Sequence, residues 1–368
     1  MWPTRLGASL HLTGAALSLA LVWAFPTFGF SRPVGYPAAY DRIIAAADKE
    51  ARLTFYTTLH QNVAGDLITA FNKLYPHVIV KYTNGRSSAL TDLFLHETSK
   101  HQPSADVIWT TAVDLQAKLI NDGYAQAYSS PEKTRIPGWA VWNDQGYAPS
   151  VEPFVIAYNR REVPLSDVPK NHFELARLLK EKPKTYDGRI ATYDPNSSEI
   201  GLLVLSHDVR ATPETWDLVH QMAGAHVRLY ANSYDMLDAI SKGEVLIGYN
   251  IVGSSAMERE AHDAAVGVIL PSDYLLSALP VAIISKSAKH PNAAKLFLDF
   301  LLSQEGQTIL SRHEMTPVRT DVSATTHQFA VDPGRVRTIR VGPGMLVDMD
   351  QQSRARLLRK WRPAAQPR

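Results

Sequence analysis

The chain has 368 residues, 45% of them apolar and 20% charged, with a formal net charge of +2. That length suits two domains with packed cores, and the absence of cysteine excludes a disulfide scaffold, a thiolate metal site, an iron–sulfur cluster and a cysteine nucleophile. Six of the basic residues fall in 351–368, which holds no Asp or Glu, so the rest of the chain is mildly acidic and no nucleic-acid partner is expected.

Residues 1–29 read as an export signal. Arg5 supplies the positive start, Leu10–Trp23 is apolar apart from His11, Thr13 and Ser18, and Thr27-Phe28-Gly29 loosely matches a cleavage site. The apolar run is shorter than the ~20 residues a spanning helix needs. The expected location is the periplasm, where a cysteine-free chain folds without mispairing.

From Tyr40 onward, β-rich runs alternate with amphipathic helices. Ile43–Ala51 has a helical period, and Leu53–Thr57 reads as a strand. Val63, Leu67, Ala70, Phe71 and Leu74 form one helical stripe. Val78–Tyr82 is the next strand, with a glycine-containing turn at Thr83–Arg86 and a helix capped by Ser87 or Ser88. Asp106–Trp109 is a third strand, followed by a helix ending near Gly123. Residues 125–150 interrupt the rhythm. Phe154–Asn159 is an apolar strand whose position suggests a crossing into a second lobe.

In that lobe a helix around His172–Lys180 precedes a strand near Arg189–Thr192 and a helix after Ser197-Ser198. Thr212-Pro213-Glu214 reads as a helix start. Val227–Tyr230, Val245–Tyr249 and Val266–Leu270 read as strands, and Ser233 as the cap of a helix that stops at Gly243. Leu279–Ser285 is a strand returning to the first lobe, with helices at Pro291–Leu302 and Ser303–Arg312. The expected division is a first lobe of 40–152 and 275–350, a second lobe of 153–274, and a solvated basic tail at 351–368. The class is α/β with parallel sheets.

No phosphate loop, dinucleotide fingerprint or nucleophile elbow occurs. His96-Glu97 and His101 are five positions apart, which separates the imidazoles by roughly 140° on a helix and leaves them unable to share a metal. Asp348 and Asp350 read as a solvated turn. No enzyme, metal or cofactor is expected.

Polar turns recur where strands end and helices begin: Thr57-Thr58-Leu59-His60, Asn84 to Ser88, Thr110-Thr111, Asp194 to Ser198 and Tyr249-Asn250. In an open α/β sheet the ligand crevice lies beyond the carboxyl ends of the strands. Helix N-termini there present free N–H groups and partial positive charge, which suits an anion. The candidate ligand-binding residues are therefore Thr57, Thr58, His60, Arg86, Ser87, Ser88, Thr110, Ser197, Ser198, Tyr249 and Asn250. Plain helix capping is the other reading of the two Ser-Ser pairs.

The stretches FYTTLHQ (55–61), PSADVIW (103–109), FVIAYNR (154–160), YDPNSS (193–198), KGEVLIGYN (242–250) and ISKSAKHPNAAKLFLDFLLSQEGQ (284–307) make the chain similar to the type II periplasmic solute-binding proteins of ABC importers, in the branch that contains the ferric-ion-binding proteins. The resemblance implies two α/β lobes, two crossing strands, a cleft that closes on a solute, and delivery to a membrane permease with its ATPase. It also implies a ferric site of a histidine, a glutamate and adjacent tyrosines. His60 stands at the histidine position. Thr110-Thr111 stand where the glutamate is expected, and Tyr249 has no tyrosine neighbour. Neutral hydroxyls with Arg86 suit a phosphate ester, phosphonate or carboxylate. The expectation is a monomeric binding protein for a small anionic solute. The alternatives are ferric iron with a synergistic anion and a ligand-sensing partner of a sensor kinase ectodomain.

Overall fold

The computed structural model describes residues 32–323, 333–342, 344, 345, 347 and 350–364, so residues 1–29, read above as an export signal, lie outside the described residues. The first lobe opens with helix α1 (Tyr40–Glu50), strand β1 (Arg52–Thr57), α2 (Gln61–Leu74), β2 (Ile79–Asn84), α3 (Ser87–Ser99), β3 (Val107–Thr110) and α4 (Val113–Asn121). The short strands β4 (Val141–Trp142) and β5 (Gly146–Tyr147) follow, and β6 (Ser150–Asn159) leaves the lobe. The second lobe holds α5 (His172–Glu181), β7 (Ile190–Tyr193), α6 (Glu199–Ala211), α7 (Thr215–Gly224), β8 (Arg228–Tyr230), α8 (Ser233–Ser241), β9 (Ile247–Val252), α9 (Gly253–His262) and β10 (Val266–Ile269). Then β11 (Leu275–Ala278) returns the chain, and β12 (Val281–Ile284), α10 (Pro291–Leu302), α11 (Gln304–Arg312) and β13 (Thr316–Pro317) rejoin the first lobe. The chain continues through β14 (Val336–Ile339) and a C-terminal helix (Gln351–Ala364).

The first sheet runs β2-β1-β3-β12-β5-β4, parallel from β2 to β3 and antiparallel at β12. The second runs β8-β7-β9-β6, parallel until the antiparallel β6. The lobes are therefore of mixed strand direction, because each sheet receives a crossing strand from the other side. The long strand β6 pairs with β13 at Ser150 and Val151, with β11 at Glu152 and Pro153, and with β9 and β10 over its second half. It thus belongs to both lobes. The return crossing starts at Leu275 rather than Leu279, and Leu279-Pro280 breaks it into β11 and β12.

In the first lobe, Phe55, Phe71, Phe297 and Phe300 pack edge-on beneath the sheet. The buried Asp299 accepts from the hydroxyls of Tyr40 (2.6 Å), Tyr128 (2.6 Å) and Ser130 (2.5 Å), and burial pushes its carboxyl up to about 7. Glu97, next to His96, accepts from Tyr56 and Ser104 and so braces α3 against β1.

Several helix starts differ from those expected. Helix α3 is preceded by Arg86, so Ser87 and Ser88 lie in its first turn. Asn232 rather than Ser233 caps α8, its side chain accepting from the Asp235 N–H. Thr212 ends α6, and α7 starts only at Thr215.

The basic tail is not solvated along its length. Asp350 Oδ2 accepts from the Ser353 N–H at 2.7 Å and starts a helix. Leu357 and Trp361, four residues apart, share a face that packs into the second lobe's core, where Trp361 is 3% exposed. Lys360 lies over the Trp216 ring at 4.2 Å. Arg354 reaches Asp114 of the first lobe at 3.8 Å. Ahead of the helix, β14 pairs in parallel with β11, and Ile339 and Met345 join Phe94, Ile120, Phe154 and Tyr274 in one cluster behind the hinge. The charge count hid a two-residue apolar stripe, which is enough to dock a helix. Trp361→Ala should therefore lower unfolding stability by about 3 kcal/mol, as expected for a large buried aromatic. Arg359→Ala, on the exposed face, should stay within about 0.5 kcal/mol in the same urea titrations.

Candidate functional site

The double crossing places the carboxyl ends of β1, β2, β3, β7 and β9 around one cleft of about 520 Å³. That size lies within the range of small-molecule sites. Thr58, His60, Arg86, Ser87, Thr111 and His313 line it from the first lobe. Tyr193, Ser198, Asn232, Ser233, Tyr234 and Ser254 line it from the second, and Glu152 lies on the crossing strand itself.

On the first lobe, Asn84 at the end of β2 donates to the carbonyls of Leu59 (2.7 Å) and Thr57 (3.3 Å), tying the two adjacent turns together. Tyr82 adds a hydrogen bond to the Leu59 carbonyl at 3.0 Å. The extended backbones of His60 and Arg86 start α2 and α3, and neither side chain caps its helix. The first N–H groups of both helices are thus without a side-chain acceptor of their own cap.

On the second lobe, Ser198 caps α6 by accepting from the Gly201 N–H at 3.2 Å. Gly201 permits this turn to sit against the strand, since a Cβ there would lie 2.5 Å from that of Tyr193. The Tyr193 hydroxyl hydrogen-bonds Ser233 Oγ at 2.6 Å, which fixes the start of α8. Helix α9 follows β9 directly, and no side chain caps it at Val252. Cleft-lining Ser254 and Ser255 occupy its first turn.

The structure brings together Thr58, His60, Arg86, Ser87 and Ser198. The other sequence candidates lie elsewhere. Thr57 is buried, and its hydroxyl accepts from the Leu59 N–H. Thr110 is buried and accepts from Gln116, which leaves Thr111 to face the cleft. Ser88 is not in the lining. The Ser197 hydroxyl donates to Asp194, which also holds Asn196 in a tight turn. Tyr249 and Asn250 point into the second lobe's core, where both donate to the buried Asp208, at 2.8 and 2.5 Å. Tyr274 makes the third donor, at 2.9 Å. Adjacent strand residues ordinarily face opposite sides, but Asn250 has a left-handed backbone (φ 63°) where the β9–β6 pairing shifts register, so both side chains turn to the same inward acceptor.

Sequence reasoning missed Glu152, Tyr234, Ser254, Glu258 and His313. Gly253-Ser254-Ser255 after a strand is the same polar-turn signal used for the other candidates. A lone acid in the apolar SVEPFVIAYN run was also legible. Nothing local marked Glu258 and His313, which meet only across the cleft. Asn62 donates to Glu258 Oε1 at 2.5 Å, His313 Nδ1 lies 4.0 Å from the same oxygen, and His313 Nε2 contacts Asp66 at 2.9 Å. The rings of His60 and Tyr234 are 5.0 Å apart across the same opening. The Glu258 contact, with Asp66 beside it, raises the His313 pKa, and His313 in turn holds the Glu258 carboxyl below the usual range.

Known proteins share the fold that builds this cleft. The substrate-binding protein of an ABC transporter from Agrobacterium tumefaciens is 32% identical, with a TM-score of 0.81, covering 86% of this chain and 94% of that one. Two further structures share the fold at lower identity. AfuA from Actinobacillus pleuropneumoniae, solved with exogenous fructose-6-phosphate bound, is 20% identical with a TM-score of 0.69 over 85% of this chain and 98% of its own. Iron-bound HitA from Pseudomonas aeruginosa is 21% identical with a TM-score of 0.67 over 85% and 99%. The family described as bacterial extracellular solute-binding protein matches residues 54–316. With its two lobes, double crossing and cleft, the chain belongs to the bacterial extracellular solute-binding proteins.

Proposed function

We propose that this protein captures a small organic anion of the phosphate-ester type in the periplasm and passes it to an ABC permease with its ATPase. The observation that carries the reading is the convergence of helices α2, α3 and α9, none capped by a side chain, on one cleft from both lobes. Free N–H groups and aligned peptide dipoles favour an anion at such a point. Arg86 beside the start of α3 adds the fixed positive charge that a phosphate or carboxylate pairs with. AfuA, which shares the fold, was solved with a sugar phosphate.

Ferric iron fits the cleft less well. A hard trivalent ion wants several anionic oxygens. The one tyrosine at the expected position, Tyr249, spends its hydroxyl on Asp208 inside the lobe. Among the described residues, no three His, Asp or Glu side chains group as metal ligands.

The contacts of His313 and Asn62 with Glu258, and of His60 with Tyr234, act as a latch between the lobes. Hinge closure around a solute is the motion such a latch controls. Because the His313 pKa is raised above 6.5, its contribution to closure is full below that value and is lost as pH rises through the raised one. Glu258, held low, stays charged throughout that window.

Two measurements test these readings. In calorimetric titration with fructose-6-phosphate, Arg86→Ala should weaken binding about 10- to 100-fold, the range for a lost hydrogen bond to a charged group. His60→Gln should cost less than tenfold. Failure of fructose-6-phosphate, inorganic phosphate and phosphonoacetate to raise the melting temperature would remove the anion assignment. In small-angle X-ray scattering of the protein without added solute, the radius of gyration should grow from about pH 6 to about pH 8 as His313 loses its proton. His313→Gln should give the larger radius at both.

A further inference from the structure

Three buried acids of this protein are well supplied with donors. Asp299 and Asp208 each receive three donors. Asp106 accepts from the Thr54 N–H, the His290 N–H and His290 Nδ1 at 2.8 to 2.9 Å. Glu152 differs. It is 2% exposed and lines the cleft. Its Oε1 accepts from Ser150 Oγ at 3.2 Å, Ser254 at the start of α9 faces the carboxyl, and its Oε2 makes no well-formed hydrogen bond among the described residues. An unpartnered buried oxygen is costly and calls for a reason. Here the reason is placement, since Glu152 sits where β6 meets β11, at the floor of the cleft.

The groups facing it are of both signs. Tyr193, Tyr234, Asp235, Ser254 and Glu258 belong to the second lobe, and His60, Arg86 and His313 to the first. Neither Arg86 nor either histidine forms an ion pair with Glu152 among the described residues. An ionised carboxylate in this floor would therefore repel an incoming anion without local compensation, and the repulsion is strong where water is excluded. The neutral acid has the opposite effect. Its O–H is a donor, and a hydrogen bond from O–H to an anionic oxygen is among the stronger kinds.

We propose that Glu152 holds the solute anion as the neutral acid, donating its O–H to an anion oxygen, so that capture of the solute takes up one proton. The inference rests on the anion reading of the cleft. The proton comes from solvent onto Oε2, no covalent bond to the solute forms, and the proton returns to solvent when the anion leaves. Burial already pushes the Glu152 carboxyl up to about 7 against the pull of Ser254 and Ser150, so the proton is within reach at neutral pH. The bound anion pushes it higher.

The test is calorimetric titration of the wild-type protein and E152Q with fructose-6-phosphate at pH 8, in two buffers of different ionisation enthalpy. A phosphate monoester, with its second pKa near 6, is already fully ionised there, so its own protons do not enter the count. The wild type should take up about one proton more per anion bound than E152Q. Its affinity should fall towards tenfold per pH unit between about pH 7 and pH 9, while E152Q shows a flatter profile and binds at least as well at the upper end. The other groups of the cleft are the same in both proteins, so the difference between the two counts reports on Glu152. Equal proton uptake in the two proteins would overturn the proposal. So would a loss of affinity by E152Q across the whole range, which would mean that an ionised Glu152 accepts from a donor on the solute. Should E152Q fail to fold by circular dichroism, a proton count of zero for the wild type overturns it. If neither fructose-6-phosphate nor inorganic phosphate binds the wild type, the anion reading of the cleft falls, and this inference with it.

Discussion

The structure depends on one constraint: the chain passes twice between two sheets, and the two passing strands pair with each other. Strand β6 lies between β11 and β9 in the second sheet and pairs with β13 where it leaves the first lobe, and β11 lies antiparallel to it at Glu152 and Pro153. Backbone groups at the crossing find partners in this pairing and in that of β13. The pairing also sets the direction of everything else. With β6 and β11 behind the cleft, the strand ends that carry helix N-termini in each lobe turn toward each other.

Polar groups are then divided by where they end up. In the lobe interiors, donors are consumed. Asp208 and Asp299 each gather three side-chain donors and hold strands to helices in the process. Around the cleft, donors are left over, because α2, α3 and α9 begin without side-chain caps. An open helix start is a cost in a protein that binds nothing, since each cap contributes ~1 kcal/mol. Three of them at one cleft make sense as the binding surface of an anion.

The C-terminal segment gives the hinge a back wall. β14 extends the crossing pair to three strands, and Ile339 and Met345 fill the space between Phe94 and Ile120 on one side and Phe154 and Tyr274 on the other. The helix that follows docks on the second lobe through Leu357 and Trp361 and reaches the first at Arg354–Asp114.

Local chemistry determined much of this protein in the sequence itself. The period of apolar residues marked α2, Pro291 marked the start of α10, and Ser303 the start of α11, because each depends on neighbours within four residues. The stretches from FYTTLHQ to the SQEGQ helix pointed to the two-lobed fold and its family. Ser198 was legible as a helix start facing a crevice, and Arg86 as a cation in the turn before one. Tertiary structure decided the rest. Tyr249 turned inward because Asp208, 41 residues away, supplies a buried acceptor. His313 and Glu258 entered the site because closure of two lobes brings α9 beneath the end of α11. The basic tail became a helix because Trp361 found Trp216 and the α7 surface. Each of these rests on a partner far away in the chain, and only the folded backbone brings such partners within hydrogen-bond or packing distance.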